Sequence, residues 1–361
     1  MDNKRNLTMM QACILFLTVD YSATMRLVPR YGALSANQAG WLSPIFGLIP
    51  MVIIVLIVKV YVQKFPNTNY TDIMKKIVGK PIAKILTIVY IIWFSILLSL
   101  YFRYFGERLV SSVYATTDKN IFIIILLIVV GILLRSGITV VARMNKIIFV
   151  LVVAQFILIV ALLISNVQFE KLTPISSLDI LPAMKGSMPV AGLGVYLFFI
   201  FMLGNEIITN KGFSRNMLFA IAFVVIADTV LTIALIGTLG SNTLIITPLP
   251  LLSAVKNISQ EGQFSGMESI FISFWILADF ITVATFSYLI VKLYKSLFNL
   301  KEAMPLISPI LLFTFILCQF LAAEIFELQN FSNKFGLQMN IVIGLVLPLI
   351  LLGIAKLRKL V

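Results

Sequence analysis

The sequence contains no histidine, and only two of its 361 residues are cysteines. Without histidine the chain lacks the usual metal ligand and the usual proton shuttle near neutral pH, so we expect no metal site and no cofactor. Cys13 and Cys318 both fall within apolar stretches, which predicts packing roles and no disulfide framework. No nucleophile and base pair and no phosphate-binding glycine loop is recognisable. The sequence therefore predicts a protein that is not an enzyme.

Charge is also scarce, since 12% of the residues are charged and 60% are hydrophobic. Apolar runs of about 20 residues, the length that crosses a bilayer, recur along the whole chain. This pattern predicts an all-α polytopic membrane protein that forms one domain over residues 1–361. We place about ten transmembrane helices at residues 8–31, 39–62, 82–111, 120–138, 144–165, 187–209, 214–240, 267–294, 304–326 and 337–356.

The net charge of +13 is explained by membrane topology and predicts no nucleic-acid partner. When the loops are assigned to alternate sides, most of the 28 lysines and arginines fall on the side that carries both termini. The positive-inside rule then predicts cytoplasmic termini. The first apolar run has no small-residue cleavage site after it, so we expect a retained span and not a signal peptide. The pattern of residues 63–81 predicts a cytoplasmic loop with a short amphipathic helix. Residues 251–255 are predicted to form a helix at the outer surface.

Two spans carry polar interruptions at matching positions of the two halves of the chain. The first contains Asp20-Tyr21-Ser22-Ala23-Thr24 and ends in Pro29-Arg30, and the sixth contains Gly192-Leu193-Gly194 and then Gly204-Asn205-Glu206. Interrupted helices at equivalent positions are typical of transporters built from inverted repeats. The pattern predicts a 5+5 inverted repeat, with halves at about 8–165 and 187–356 and discontinuous helices 1 and 6.

Acidic residues within spans are the first candidates for ligand binding, because an unpaired carboxylate in a bilayer is costly. Among Asp20, Glu206, Asp228, Glu268, Asp279 and Glu324 we favour a functional role for Asp20, Glu206 and Asp279. Glu268 and Glu324 lie near span ends, where an interfacial or structural role is more common, and the role of Asp228 stays open. Ser22 and Thr24 add hydroxyl groups, and Asn205 adds an amide that could bind a zwitterion.

Two helical faces extend this candidate site. Asp279, Thr282 and Phe286 share one face of the eighth span, together with Trp275 one turn earlier. Leu97, Tyr101 and Tyr104 form a similar stripe on the third span. These stripes predict pocket walls, although ordinary helix packing would produce the same spacing. Arg103 and Glu107, four residues apart, predict a structural ion pair near the outer surface.

Several short motifs in this order resemble the endospore germination permeases, the B-subunits of spore germinant receptors. They are residues 26–30 (RLVPR), 137–143 (GITVVAR), 204–207 (GNEI), 250–252 (PLL) and 267–276 (MESIFISFWI). The resemblance covers essentially the full chain and includes the number of spans. It implies the amino acid–polyamine–organocation fold, which is LeuT-like. By position it also implies a ligand pocket at Ser22, Ala23, Thr24, Leu97, Tyr101, Gly204, Asn205, Glu206, Thr282 and Phe286.

The resemblance further implies a sensor of small nutrients in the spore inner membrane. Such a subunit works with a larger membrane A-subunit and a lipoprotein C-subunit. We therefore predict a receptor subunit that binds an amino acid or a similar nutrient at the bilayer midplane, with Asp20 engaging a cationic or hydroxyl group. A proton- or sodium-coupled amino acid transporter is the main alternative. A structural or ion-conducting subunit without its own ligand is a third reading, because one fold hosts many functions.

Overall fold

The computed structural model of the chain describes residues 7–208, 212–247, 249–260, 267–322 and 324–361, with the backbone alone at 208, 258–260 and 267–268. The predicted candidate Glu268 therefore has a side chain outside the described part. The α-helices are α1 Met9–Ala36, α2 Ser43–Phe46, α3 Leu48–Lys64, α4 Tyr70–Val78, α5 Lys80–Ser112, α6 Lys119–Arg135, α7 Ile138–Ile164, α8 Ile180–Gly186, α9 Met188–Gly194, α10 Tyr196–Phe201, α11 Phe213–Leu239, α12 Ser241–Ile246, α13 Pro250–Gln260, α14 Met267–Leu297, α15 Ile307–Phe320, α16 Ile325–Phe331, α17 Leu337–Ile341 and α18 Leu347–Leu357.

Shorter elements join these helices. Two-residue strands, β1 (Leu7–Thr8) and β2 (Ile207–Ile208), pair in parallel and attach the start of α1 to the chain that follows α10. The last three helices are connected by π-helical turns at Ser332–Gly336 and Val342–Val346. Turns of 3-10 helix occur at Asn37–Leu42, Phe169–Leu172, Ser177–Asp179, Gly204–Glu206 and Met304–Leu306.

The fold is that of a polytopic membrane protein. Seven helical stretches among the described residues are long and apolar enough to cross a membrane, and the first of them, Met9–Lys64, combines α1 with α3. Each of the ten ranges that hydropathy marks as a span coincides with at least one helix. The amphipathic helix predicted within residues 63–81 is α4, and the predicted helix at 251–255 is α13. Both helices are confirmed, while the side of the membrane on which each lies stays a prediction.

Helix α1 lies at the centre of the bundle. It packs against α7, α9, α10, α11 and α14, while α14 packs closely against α5. One contiguous cluster of buried apolar side chains extends from Leu7 to Ala355. The centre of α1 is therefore enclosed by protein and not by lipid, which is the environment in which polar side chains are tolerated at membrane depth.

The predicted interruption of the first helix is wrong, because α1 is helical from Met9 to Ala36 and contains Pro29 in its interior. The polar side chains of this stretch obtain their partners without unwinding. The Thr24 hydroxyl donates to the Asp20 carboxylate at 3.1 Å, and the Ser22 hydroxyl donates to Asp279 of α14. Since side chains satisfy one another, the backbone keeps its helical hydrogen bonds.

The predicted interruption of the sixth span is confirmed. A turn at Val195 separates α9 from α10, and the α-helical backbone ends at Phe201. Residues Gly204–Glu206 form a 3-10 turn that continues into β2. Gly204 has a φ of +54°, a left-handed conformation that glycine adopts at little cost. The inverted repeat of the two halves stays a prediction.

Candidate ligand-binding site

A narrow cavity lies between α1, α5, α9, α10 and the segment that joins α16 to α17. Helix α1 contributes Ala23, Arg26 and Leu27, and α5 contributes its predicted stripe of Leu97, Tyr101 and Tyr104 together with Leu100. The opposite wall comes from Leu193, Tyr196, Ser332, Gly336, Leu337 and Asn340. Its volume of about 20 Å³ has room for about one water molecule, so a larger ligand requires its walls to separate. Of the predicted ligand residues, Ala23, Leu97 and Tyr101 line this cavity.

Aromatic rings and three polar groups shape one wall of the cavity. The Tyr101 hydroxyl donates to the Tyr196 hydroxyl at 3.0 Å, and the Asn340 amide lies 3.4 Å from the same Tyr196 oxygen. Trp93 fixes Asn340 by donating its indole N–H to the amide oxygen at 2.9 Å. The ring of Phe286 stacks on Tyr101 with centroids 5.7 Å apart, so the predicted residue Phe286 supports the wall from behind.

A second group of predicted residues forms a buried polar cluster between α1, α5 and α14. The Asp279 carboxylate accepts hydrogen bonds from the Ser22 hydroxyl and from the Arg108 guanidinium, with which it forms an ion pair. Trp275 donates its indole N–H to Ser22 at 3.2 Å, and its ring lies 3.7 Å beneath the Arg108 guanidinium carbon. The structure thus joins Ser22 and Asp279 to each other instead of placing them on the cavity.

Arg108 is a residue that sequence reasoning missed. It is buried, with 3% of its surface exposed, and it lies on α5 one residue after Glu107. The predicted pair of Arg103 and Glu107 is confirmed at 3.0 Å, and Lys119 also contacts Glu107 at 2.8 Å. The signal that could have identified Arg108 is Asp279 itself, because a carboxylate in the middle of a span requires a counter-charge from a neighbouring helix.

The remaining predicted residues of α1 and α14 are buried but occupied by local hydrogen bonds. Thr24 donates to Asp20, and Thr282 donates to the backbone carbonyl of Ala278 at 2.9 Å. Asp228 on α11 is buried, and one of its carboxylate oxygens has no hydrogen-bond partner in the described part of the chain. Asp20, Thr24 and Thr282 therefore lie in the core near the cavity without lining it.

The segment Gly204–Glu206 lies elsewhere, so the predicted meeting of two interrupted segments around one ligand is wrong. Asn205 and Glu206 line a separate cavity of about 410 Å³ with α4 and the end of α14. Lys292 contacts Glu206 at 3.1 Å and Asn205 at 3.3 Å, and it also donates to the carbonyl of Leu203. The two segments do not meet because α10 stays helical through Phe201. The break in the sixth span follows only at the end of the bundle that we predict to be cytoplasmic.

Solved structures with a similar fold are transport proteins of the LeuT type. The structure of MhsT in complex with L-phenylalanine superposes with a TM-score of 0.64 at 11% identity, covering 91% of this chain and 85% of that one. The structure of Mhp1, a nucleobase-cation-symport-1 family transporter in a closed conformation with bromovinylhydantoin bound, gives a TM-score of 0.61 at 13% identity, covering 94% and 76%. These likenesses confirm the predicted fold class.

Sequence comparisons identify relatives among spore germination proteins. Spore germination protein KB of Bacillus subtilis (strain 168) is 22% identical over 365 aligned positions, which cover 99% of this chain and 96% of the relative. Spore germination protein YndE of the same organism is 24% identical over 285 positions, covering 76% and 77%. The family model described as spore germination protein matches residues 6–326. The resemblance inferred from short motifs is therefore confirmed, and the chain belongs to the spore permease family of spore germination proteins.

Proposed function

We propose that this protein is the nutrient-binding membrane subunit of a spore germinant receptor. The observation that supports this proposal is the cavity between α1, α5, α9–α10 and α17, which lies inside the bundle and is lined by both apolar and polar side chains. Ala23, Leu97 and Tyr101 contact the ligand, and Phe286 holds the Tyr101 ring in place. The mixed lining suits a small nutrient such as an amino acid, which enters when the walls of the cavity separate.

Ligand binding acts by differential affinity for two arrangements of the bundle. Ser22 and Asp279 belong to the cluster that joins α1, α5 and α14, while Asn205 and Glu206 hold Lys292 at the opposite end of α14. Both clusters bridge separate elements, so a shift of α14 against α1 changes them together. In the proposal, Asp20, Thr24 and Thr282 reach a ligand when their present hydrogen bonds rearrange. A larger membrane A-subunit and a lipoprotein C-subunit in the spore inner membrane read the resulting arrangement.

The proposal is tested at Leu97, which is 3% exposed and lines the cavity. Leu97→Ala enlarges the site by three carbon atoms, so we expect the nutrient concentration for half-maximal germination to change by about tenfold or more. The matched control is Ile92→Ala on the same helix, because Ile92 is 56% exposed on the lipid-facing side. The measurement is the dose–response of spores that carry each variant at equal protein level.

An unchanged dose–response for Leu97→Ala, with the same nutrient preference as the control, would contradict the proposed site. It would favour a subunit without its own ligand. Germination by single nutrients in Asp20→Ala spores tests the predicted role of Asp20 in the same way, since an unaltered response would remove Asp20 from the site.

A coupled amino acid transporter is the second candidate. Two buried carboxylates within spans, Asp20 on α1 and Asp228 on α11, are residues that could carry a proton or bind a cation, and α1 packs directly on α11. Proteoliposomes that contain only the purified chain discriminate the two functions. Robust uptake of a labelled amino acid driven by a proton or sodium gradient would favour transport, whereas saturable binding without flux would favour sensing.

A further inference from the structure

Arg26 is a buried cation that forms no ion pair with any described residue. Its side chain lines the cavity and is 5% exposed, and its Nε atom is buried without a hydrogen-bond partner. In the described ranges no carboxylate forms an ion pair with Arg26 and no group accepts a hydrogen bond from it. An isolated charge inside a membrane protein is unfavourable, so such a group requires a reason to be retained.

Two other arginines show how this chain normally satisfies a buried guanidinium. Arg108 is paired with Asp279, and Arg30 donates to the Ile245 carbonyl and to the Gln329 amide oxygen, both at 2.8 Å. The carboxylate of Asp279 is therefore already engaged by a different cation. Arg26 differs from both arginines because its side chain lines the cavity and its Nε atom has no hydrogen-bond partner among the described residues.

The neighbouring ring of Tyr104 holds the Arg26 side chain in position. The guanidinium carbon lies 3.3 Å from the centre of the Tyr104 ring, which is a cation–π contact. Tyr104 is itself fixed, since its hydroxyl donates to the carbonyl of Leu328 at 3.2 Å. Stacking occupies one face of the planar guanidinium and leaves its in-plane N–H groups free, and these groups match a carboxylate in a bidentate arrangement.

We propose that Arg26 binds the carboxylate of the nutrient, and that the ligand of this cavity is a small carboxylic acid such as an amino acid. This inference rests on the proposed nutrient site and specifies its ligand class. The hydroxyls of Tyr101 and Tyr196 and the amide of Asn340 lie on the wall that other polar groups of the ligand would face. The lining of the cavity contains one guanidinium, which suits a monoanion.

The test compares acids with their uncharged analogues on the purified full chain in lipid-containing detergent. The probes are the standard L-amino acids, their C-terminal amides, and the neutral nutrients inosine and D-glucose, and the readout is the midpoint of thermal unfolding. We expect at least one free acid to stabilise the protein. Its C-terminal amide should bind at least about tenfold more weakly. Arg26→Gln should remove that discrimination, and Arg26→Lys should retain part of it.

The ligand-free proteins provide a readout that separates binding from structure. Because Arg26 forms no ion pair with a described residue, Arg26→Gln should leave the unfolding midpoint unchanged or raise it. Arg108→Gln is the matched control and should lower the midpoint, since it leaves Asp279 unpaired. A midpoint that falls as far in Arg26→Gln as in Arg108→Gln would overturn the inference, because it would show a structural role for Arg26.

The remaining outcomes separate this inference from the proposed function. If inosine or D-glucose stabilises the chain and Arg26→Gln leaves that effect intact, the carboxylate inference is overturned and a nutrient site remains. If neither charged nor neutral probes stabilise the protein, the proposed nutrient site and the inference fail together.

Discussion

Asp279 and Arg108 form a buried ion pair whose members are 1% and 4% exposed in their side chains. Such pairs add little net stability compared with apolar side chains, yet removing one partner is costly because the other charge remains buried. The hydrogen bond from Ser22 and the Trp275 ring beneath Arg108 complete the cluster. At the residue scale this cluster, and not the predicted unwound helix, explains why polar groups are tolerated at the centre of α1.

Substitution of a single member of the pair should therefore destabilise the protein strongly. We expect Asp279→Asn or Arg108→Gln to lower the free energy of unfolding by about 3–5 kcal/mol. The measurement is unfolding of the detergent-solubilised protein by sodium dodecyl sulfate. The exposed pair of Lys75 and Asp72 is the control, and Lys75→Ala should cost about 1 kcal/mol or less. The double variant Arg108→Met with Asp279→Leu should recover most of the lost free energy of unfolding. If neither single variant destabilises the protein, the structural role of the cluster is contradicted.

The contrast between Arg108 and Arg26 also shows the limit of sequence reasoning for individual side chains. The sequence identifies Asp279 and Asp20 as unusual, because carboxylates are rare in apolar spans. It does not indicate which partner each carboxylate has. Asp279 pairs with Arg108 on a different helix, whereas Asp20 accepts a hydrogen bond from Thr24 on its own helix. Only the packing of α1 against α5 decides which arginine has guanidinium N–H groups without an acceptor among the described residues.

At the element scale, the segment after α10 combines a sharp turn with a close backbone contact. Gly204 has a φ of +54°, and a Cβ atom placed on it would clash with the carbonyl oxygen of Thr68. Two independent constraints, conformation and space, therefore require glycine at this position. They fix the orientation of Asn205 and Glu206 toward Lys292, which links this segment to α14.

A methyl group at position 204 should therefore be costly. We expect Gly204→Ala to lower the free energy of unfolding by about 1–3 kcal/mol, because the left-handed conformation and the Thr68 contact both oppose it. The matched control is Gly353→Ala in α18, where no neighbouring atom lies within 4 Å of the added Cβ and where alanine favours the helix by about 1 kcal/mol. Unfolding in sodium dodecyl sulfate measures both variants, and an equal response of the two would contradict the contact at Thr68.

At the scale of the whole molecule, the arrangement of helices predicts an orientation in the membrane. Helices α1, α5 and α7 run in the same direction in the sequence-based topology, with their N-terminal ends in the cytoplasm. The cavity formed with α4, Asn205 and Lys292 then opens at the cytoplasmic end, and the connection at residues 166–179 lies outside.

Reporter fusions test this orientation directly. Alkaline phosphatase fused after Asn166 should be active, because that position is predicted to lie outside, while the same enzyme fused after Val361 should be inactive. A fluorescent protein fused after Val361 provides the reciprocal measurement and should fluoresce in the cytoplasm. The opposite pattern, with an active phosphatase at the C-terminus, would reverse the predicted topology and place the Lys292 cavity on the outer side.

The sequence by itself determined the membrane class, the positions of the helices and the family, because hydropathy and short motifs are local properties of the chain. The structure decided that α1 stays helical past Pro29, that the sixth span breaks beyond Phe201, and that the predicted residues divide between a cavity and two ion-pair clusters. These outcomes depend on which side chains meet across different helices. A polar residue in lipid can be satisfied by unwinding or by a partner on a neighbouring helix, and only the packing of the bundle selects between the two.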